Sequence, residues 1–125
     1  MTRAEFCKRT FEFGIRCIRL AESLPKTTVA QIIAKQLIRA ATSVGANYRA
    51  AIRSRSRADF VAKMGIVEEE CDETVYWIEV LMKLGLLHEK RTSALLQEAN
   101  EILAVTVSSI KTARKGQQIS KIILT

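Results

Sequence analysis

A chain of 125 residues with 48% apolar content is long enough for one domain with its own core and too apolar to stay disordered. One proline, five glycines and 6% aromatics leave too few turn residues for a sandwich or barrel, which needs a turn about every 8–12 positions. The net charge of +7, from 20 Lys and Arg against 13 Asp and Glu, favours a polyanion, meaning nucleic acid or an anionic membrane surface. The alternative is a solvated surface with no such partner.

Cys7, Cys17 and Cys71 are an odd set, and each sits in an apolar helical stripe where free cysteine behaves as a small hydrophobe. On a straight helix Cys7 and Cys17 are about 15 Å apart along the axis, too far for a disulfide. A reducing, cytoplasmic setting is expected. The start of the chain is charged and lacks a signal-peptide core, and no apolar run approaches the ~20 residues of a membrane span. A soluble protein with no membrane partner is therefore expected.

The pattern predicts a first helix over 3–24. Cys7, Phe11, Gly14, Ile18 and Ala21 repeat by 4 and 3, with Phe6, Cys17 and Leu24 on the flank and Lys8, Arg9, Glu12, Arg16 and Arg19 opposite. Pro25 ends it, because the residue before a proline is pushed out of the α region.

A second helix is predicted over 28–53, opened by a Thr28/Gln31 capping box. Val29, Ile33, Leu37, Ala40, Val44, Tyr48 and Ala51 fall on one arc, with Lys35, Arg39, Arg49 and Arg53 on the other. The small-residue stretch Ala40–Ala46 predicts a close helix crossing. Gly45 would otherwise cost about 1 kcal/mol against alanine for no return. Asn47 leans toward the apolar arc and needs a hydrogen-bond partner there.

Ser56 and Asp59 start a third helix over 57–86. Phe60, Met64, Val67, Cys71, Thr74, Ile78, Leu81 and Gly85 step alternately by 4 and 3, which is a lengthwise packing seam. Ile66, Trp77, Val80 and Leu84 make a second strip, more than one bundle can cover. A fourth helix is predicted over 92–115, capped by Thr92 or Ser93. Its seam is Leu95, Ala99, Ile102, Thr106, Ser109 or Ile110, and Ala113, and Gly116 is read as its C′ stop. The tail, 117–125, is apolar at Ile119, Ile122, Ile123 and Leu124, as a segment tied down on something would be. Short connections between amphipathic helices predict an all-α, up-down-up-down four-helix bundle in a single domain.

Chemistry finds little to work with. Glu69 with Glu73, and Glu68 with Asp72, sit one turn apart, but a di-iron bundle needs two Glu-x-x-His pairs and the only histidine is His88, in a turn. These carboxylates read instead as a solvated acidic patch pairing with nearby basic residues. No cysteine or serine has the neighbours of a nucleophile, and no glycine-rich phosphate loop is present. No catalytic residue, metal or cofactor is expected, and the protein is not read as an enzyme. Lys35, Arg39, Arg49, Arg53, Arg55 and Arg57 form the strongest signal, a basic stripe carried around the turn after the second helix. Arginine forks suit phosphate oxygens, and without aromatic partners the stripe would grip backbone rather than read bases. Ile66, Trp77, Val80 and Leu84, with Ile119, Ile122 and Ile123, are the expected interface of a homo-oligomer.

The stretches Gln36–Tyr48, Arg57–Phe60 and Glu73–Leu81 carry a family likeness. They resemble the bacterial four-helix-bundle proteins encoded in intervening sequences of 23S ribosomal RNA genes. That family is similar in turn to the accessory variability protein of diversity-generating retroelements. The resemblance spans roughly the first three helices. It implies a small all-α bundle, a ring-shaped homopentamer, and a nucleic-acid-binding role beside a partner such as a reverse transcriptase. Many members follow the asparagine with a Glu-Gly turn, where this chain has Arg49, Arg53, Arg55 and Arg57. The expected function is a non-enzymatic, nucleic-acid-binding homo-oligomer; the alternative is a structural or protein-interaction scaffold.

Overall fold

The computed structural model of the chain describes the backbone of residues 1–124 and the side chains of residues 1–116. Four helices follow one another: α1 (Arg3–Glu22), α2 (Thr28–Ala51), α3 (Arg57–Lys83) and α4 (Glu89–Leu124). Each packs on its neighbours in the chain, and α1 meets α4 to close the square, while the backbones of the diagonal pairs stay apart among the described residues. Short connections make successive helices antiparallel, giving the expected bundle.

Local chemistry sets most of the ends. Thr2 caps α1 in a full capping box with Glu5, and Ser56 caps α3 by accepting from the Asp59 amide at 3.1 Å. The α2 cap is Thr27, one residue before the expected Thr28. Thr27 is the residue with extended backbone, and its hydroxyl accepts from the Ala30 amide. Gln31 turns instead to the Pro25 carbonyl. At the end of α3, Gly85 takes φ 70°, with the Gly85 and Leu86 amides donating to the Met82 and Leu81 carbonyls. That pair of bonds is a Schellman stop. The chain re-enters a helix at Glu89, ahead of the expected start. Thr92 and Ser93 therefore lie inside α4 and donate their hydroxyls back to His88 and Glu89 carbonyls rather than capping.

Gly116 does not stop α4. A C′ glycine needs a left-handed backbone, and among the described residues only Gly85 has positive φ. Its lack of a side chain has another use: a Cβ there would collide with the Arg57 guanidinium. Ile119, Ile122, Ile123 and Leu124 lie outside the described side chains.

The core runs the length of the bundle. From α3 it takes Met64, Val67, Cys71, Thr74, Ile78 and Leu81, and from α4 Leu95, Ala99, Ile102, Thr106 and Ile110, both as the spacing predicts. On α2, Ile33 to Ala51 are buried as expected, but Val29 in the first turn is 56% exposed. The α1 face is rotated from the expected one. Phe6, Thr10, Phe13, Cys17, Leu20 and Leu24 point inward, while Phe11 is 53% exposed and Ile18 only half-buried. The two rows differ by one residue, about 100° of rotation. The row holding Phe6, Phe13 and Leu20 buries more apolar area than Cys7, Gly14 and Ala21 could, so it wins the centre.

Gly14 and Gly45 lie where α1 and α2 cross. A Cβ on Gly45 would stand 3.3 Å from the Thr10 carbonyl group, the close approach that the small-residue stretch predicts. Asn47 finds its partner in the Ser43 carbonyl at 2.8 Å.

Candidate nucleic-acid interface

Alternating helix direction puts the start of α1, the end of α2, the start of α3 and the second half of α4 at one end of the bundle. A cleft there confirms the juxtaposition, being lined by Thr2–Phe6 side chains, the Tyr48–Phe60 segment and Val105–Ala113 of α4. Residues 1–12, 47–66 and 106–116, which build this half, contain eleven Lys and Arg against Glu5, Glu12 and Asp59, and Arg9 brings Glu98 and Glu101 of α4 to its edge by pairing with both. Eleven cations against these five carboxylates put +6 of the chain's +7 at this basic pole, and the remainder is near neutral.

Of the six residues in the expected stripe, the structure brings four to the pole. Arg49 is exposed on the last turn of α2, Arg53 and Arg55 follow in the turn, and Arg57 stands at the head of α3. No carboxylate among the described residues forms an ion pair with Arg49, Arg53 or Arg55. The nearest pole acid, Asp59, is taken by Lys63 at 3.0 Å.

Lys35 and Arg39 stand apart. Lys35 lies fourteen residues before Arg49, about 21 Å along the axis. Arg39 spans to α3, where it donates to Glu70 at 3.0 Å and also pairs with Glu73. Hydrogen bonds from Arg39 and then from Trp77 hold the Glu73 carboxyl below its usual range. The acidic run thus spends two of its members on Arg39, and that guanidinium is bound within its own subunit rather than offered to phosphate. Helical projection alone placed it in the stripe; the α2–α3 register removes it.

Arg3, Lys111, Arg114 and Lys115 join the pole instead. Lys111, Arg114 and Lys115 sit with Ser108 and Thr112 around a shallow concavity on α4. Arg3 lies 5.5 Å above the centre of the Phe60 ring, a cation–π contact that preorders its guanidinium. The signal that could have found them is topological: in an up-down-up-down bundle, odd helix starts and even helix ends share a pole.

Arg39 also fixes which apolar side chains share the α2–α3 face. With Arg39 level with Glu70 and Glu73, Ile32 falls level with Trp77 and Val80, and Val29 with Val80 and Lys83, next to Leu84. Val29, Ile32, Tyr76 and Leu84 are each more than half exposed, Ile66 is exposed and Trp77 and Val80 are half-buried. The Tyr76 and Trp77 rings meet edge to face at 4.9 Å. The expected interface strip is therefore an exposed apolar surface, enlarged by Val29, Ile32 and Tyr76.

Among the described residues no group of His, Cys, Asp and Glu is placed to hold a metal ion, and no helix is long and apolar enough to cross a membrane. Cys17 and Cys71 are buried free thiols, each pushed up to about 12 chiefly by that burial.

No curated protein matches the chain. A crystal structure of a protein of unknown function from the S23 ribosomal protein family of Bacteroides thetaiotaomicron VPI-5482 is similar to it, at 32% identity and a TM-score of 0.82, over 89% of this chain and 99% of that one. The family model of the 23S rRNA-intervening sequence protein matches residues 2–108. That match takes in α1 to α3 and the first half of α4, including Arg49, Arg53, Arg55 and Arg57 but not Lys111, Arg114 or Lys115, and the chain belongs to the 23S rRNA-intervening sequence protein family.

Proposed function

We propose that the protein is a non-enzymatic, homo-oligomeric binder of RNA or DNA backbone, with the basic pole as its contact surface. The observation that carries this reading is the gathering of eleven cations, from all four helices and the α2–α3 turn, against five carboxylates, of which Glu98, Glu101 and Asp59 are taken by Arg9 and Lys63. The exposed guanidinium groups of Arg49, Arg53 and Arg55, which form no ion pair among the described residues, are available for bidentate phosphate contacts. The stretch Arg49–Arg57 carries no aromatic side chain, so the contact proposed for it is to backbone rather than base-specific. A symmetric oligomer, a pentameric ring by the family resemblance, would repeat the pole in every subunit and multiply its affinity. Such a protein suits an accessory role beside an RNA-processing enzyme or reverse transcriptase.

The test is a gel shift with Arg49→Glu, Arg53→Glu and Arg55→Glu combined, beside circular dichroism. Lost binding with unchanged helicity supports the reading; unchanged binding overturns it.

The second reading, an interaction scaffold, is favoured by the α2–α3 face, where Val29, Ile32, Tyr76 and Leu84 expose apolar area beside Trp77. Oligomerisation lost in Ile32→Asp/Leu84→Asp, with no nucleic acid bound by the parent protein at any salt, would establish it over the first.

A further inference from the structure

The pole is not merely a convex charged surface, for the cleft at its centre has a volume of about 580 Å³. Phe6, Ala51 and Val105 give it an apolar floor, and Ser108 and Thr112 of α4 line one wall. Arg3, Arg55 and Arg57 reach it from α1 and the α2–α3 turn, and no carboxylate is among its lining residues. Separately, the Ser54 hydroxyl oxygen, also in this lining, is buried without a hydrogen-bond partner. A buried hydroxyl left unpaired costs stability unless something enters to accept from it. The first turn of α3 opens at the same place behind Ser56, adding the positive end of a 27-residue helix.

We propose that this cleft takes the terminal phosphate of a nucleic-acid strand, a phosphomonoester together with the nucleotide that bears it. The inference rests on reading the pole as a nucleic-acid surface, and adds which part of the strand is held. An internal phosphodiester must leave the strand free to continue in both directions, which suits the exposed rim of Arg49, Arg53, Lys111 and Lys115. A strand end can enter a cleft closed beneath by packed helices. A phosphomonoester also presents three free oxygens and close to two negative charges, against two oxygens and one charge for a diester. The two guanidinium groups of Arg3 and Arg55, each with several N–H donors, and a hydroxyl donor match the former. The volume is ample for one nucleotide, within the roughly 300–1,000 Å³ of small-molecule sites. Arg3, seated over Phe60, is preordered at the mouth, and Ser54 donates its hydroxyl hydrogen to a phosphate oxygen.

The test uses the full chain and three versions of one internally labelled single-stranded DNA of about 12 nucleotides, a length within single-strand site sizes. One carries a 5′-phosphate, one a 3′-phosphate, and one has hydroxyls at both ends. Fluorescence anisotropy should show one phosphorylated strand binding about tenfold more tightly than the hydroxyl strand, the size expected of charge-assisted contacts; the arm that responds identifies the end. Ser54→Ala, which changes no charge, should reduce that preference while leaving the hydroxyl strand's affinity unchanged. Equal, salt-sensitive binding of all three strands overturns the cleft and leaves the pole standing. A preference unaltered by both Ser54→Ala and Arg55→Ala places the phosphate elsewhere and also overturns it. Failure of every strand to bind removes the pole reading beneath it.

Discussion

Replacing Arg53, Arg55 and Lys111 by alanine takes three cations from the pole and none from the core, because all three are exposed. Each phosphate neutralised on duplex DNA contributes about 0.9 to the slope of log affinity against log salt. Losing three contacts should therefore flatten that slope by about 2.7. For a parent protein making about six contacts, the affinity lost between 50 and 200 mM salt falls from roughly a thousandfold to roughly 40-fold. A matched triple, Lys26→Ala, Lys35→Ala and Lys83→Ala, removes the same charge from exposed positions away from the pole. It should leave the slope within error of the parent. Filter binding or anisotropy across a salt series measures both. If the two triples flatten the slope equally, net charge rather than its placement governs binding, and the pole reasoning fails. If neither does, phosphate contact itself is refuted.

Gly65 sits mid-helix with open space where a Cβ would go, so Gly65→Ala should stabilise by about 0.5–1 kcal/mol in urea unfolding. Gly45→Leu should destabilise by at least about 1–3 kcal/mol through overpacking against Thr10; equal effects at the two sites would contradict the close crossing. Arg9 of α1 holds Glu98 of α4 through its Nε and Nη2 groups, and that bonding keeps the Glu98 carboxyl below its usual range. A depressed folded-state value stabilises above the unfolded value, near 4.3, and the benefit is lost as pH falls through the folded value. Glu98→Gln should thus cost about 1–2 kcal/mol at pH 7, with the gap closing in urea melts at progressively lower pH; a gap constant to pH 3 would show the contact is not ionic. Burial that holds Cys17 and Cys71 at about 12 keeps them as thiols, so a thiol reagent at pH 8 should label Cys7 alone until denaturant exposes all three cysteines. Rapid native labelling at three sites would contradict the packed core.

The seams of α3 and α4 were legible because on each helix one row keeps the 4-3 spacing unbroken along the packed length, whereas the second strip of α3, Ile66, Trp77, Val80 and Leu84, does not. The crossing at Gly45 was legible for a related reason, since a helix tolerates glycine there only where backbone must come near. On α1 two interleaved rows shared that spacing, and spacing alone cannot choose between rows one residue apart. Bulk chose, seating Phe6, Phe13 and Leu20 inward and leaving Phe11 outside.

The polar residues depended more heavily on the third dimension. Composition determined that the chain would be helical and strongly positive, since both are sums over residues. Where the positive charge acts is a relation between helices. Arg39 belongs to Glu70 and Glu73 because the α2–α3 register sets them side by side. Arg3 and Lys115, remote in the chain, share a pole because antiparallel packing folds opposite ends together. Periodicity acts within a few residues and can be read locally; electrostatic partnership depends on distance in space, which only the packed bundle decides.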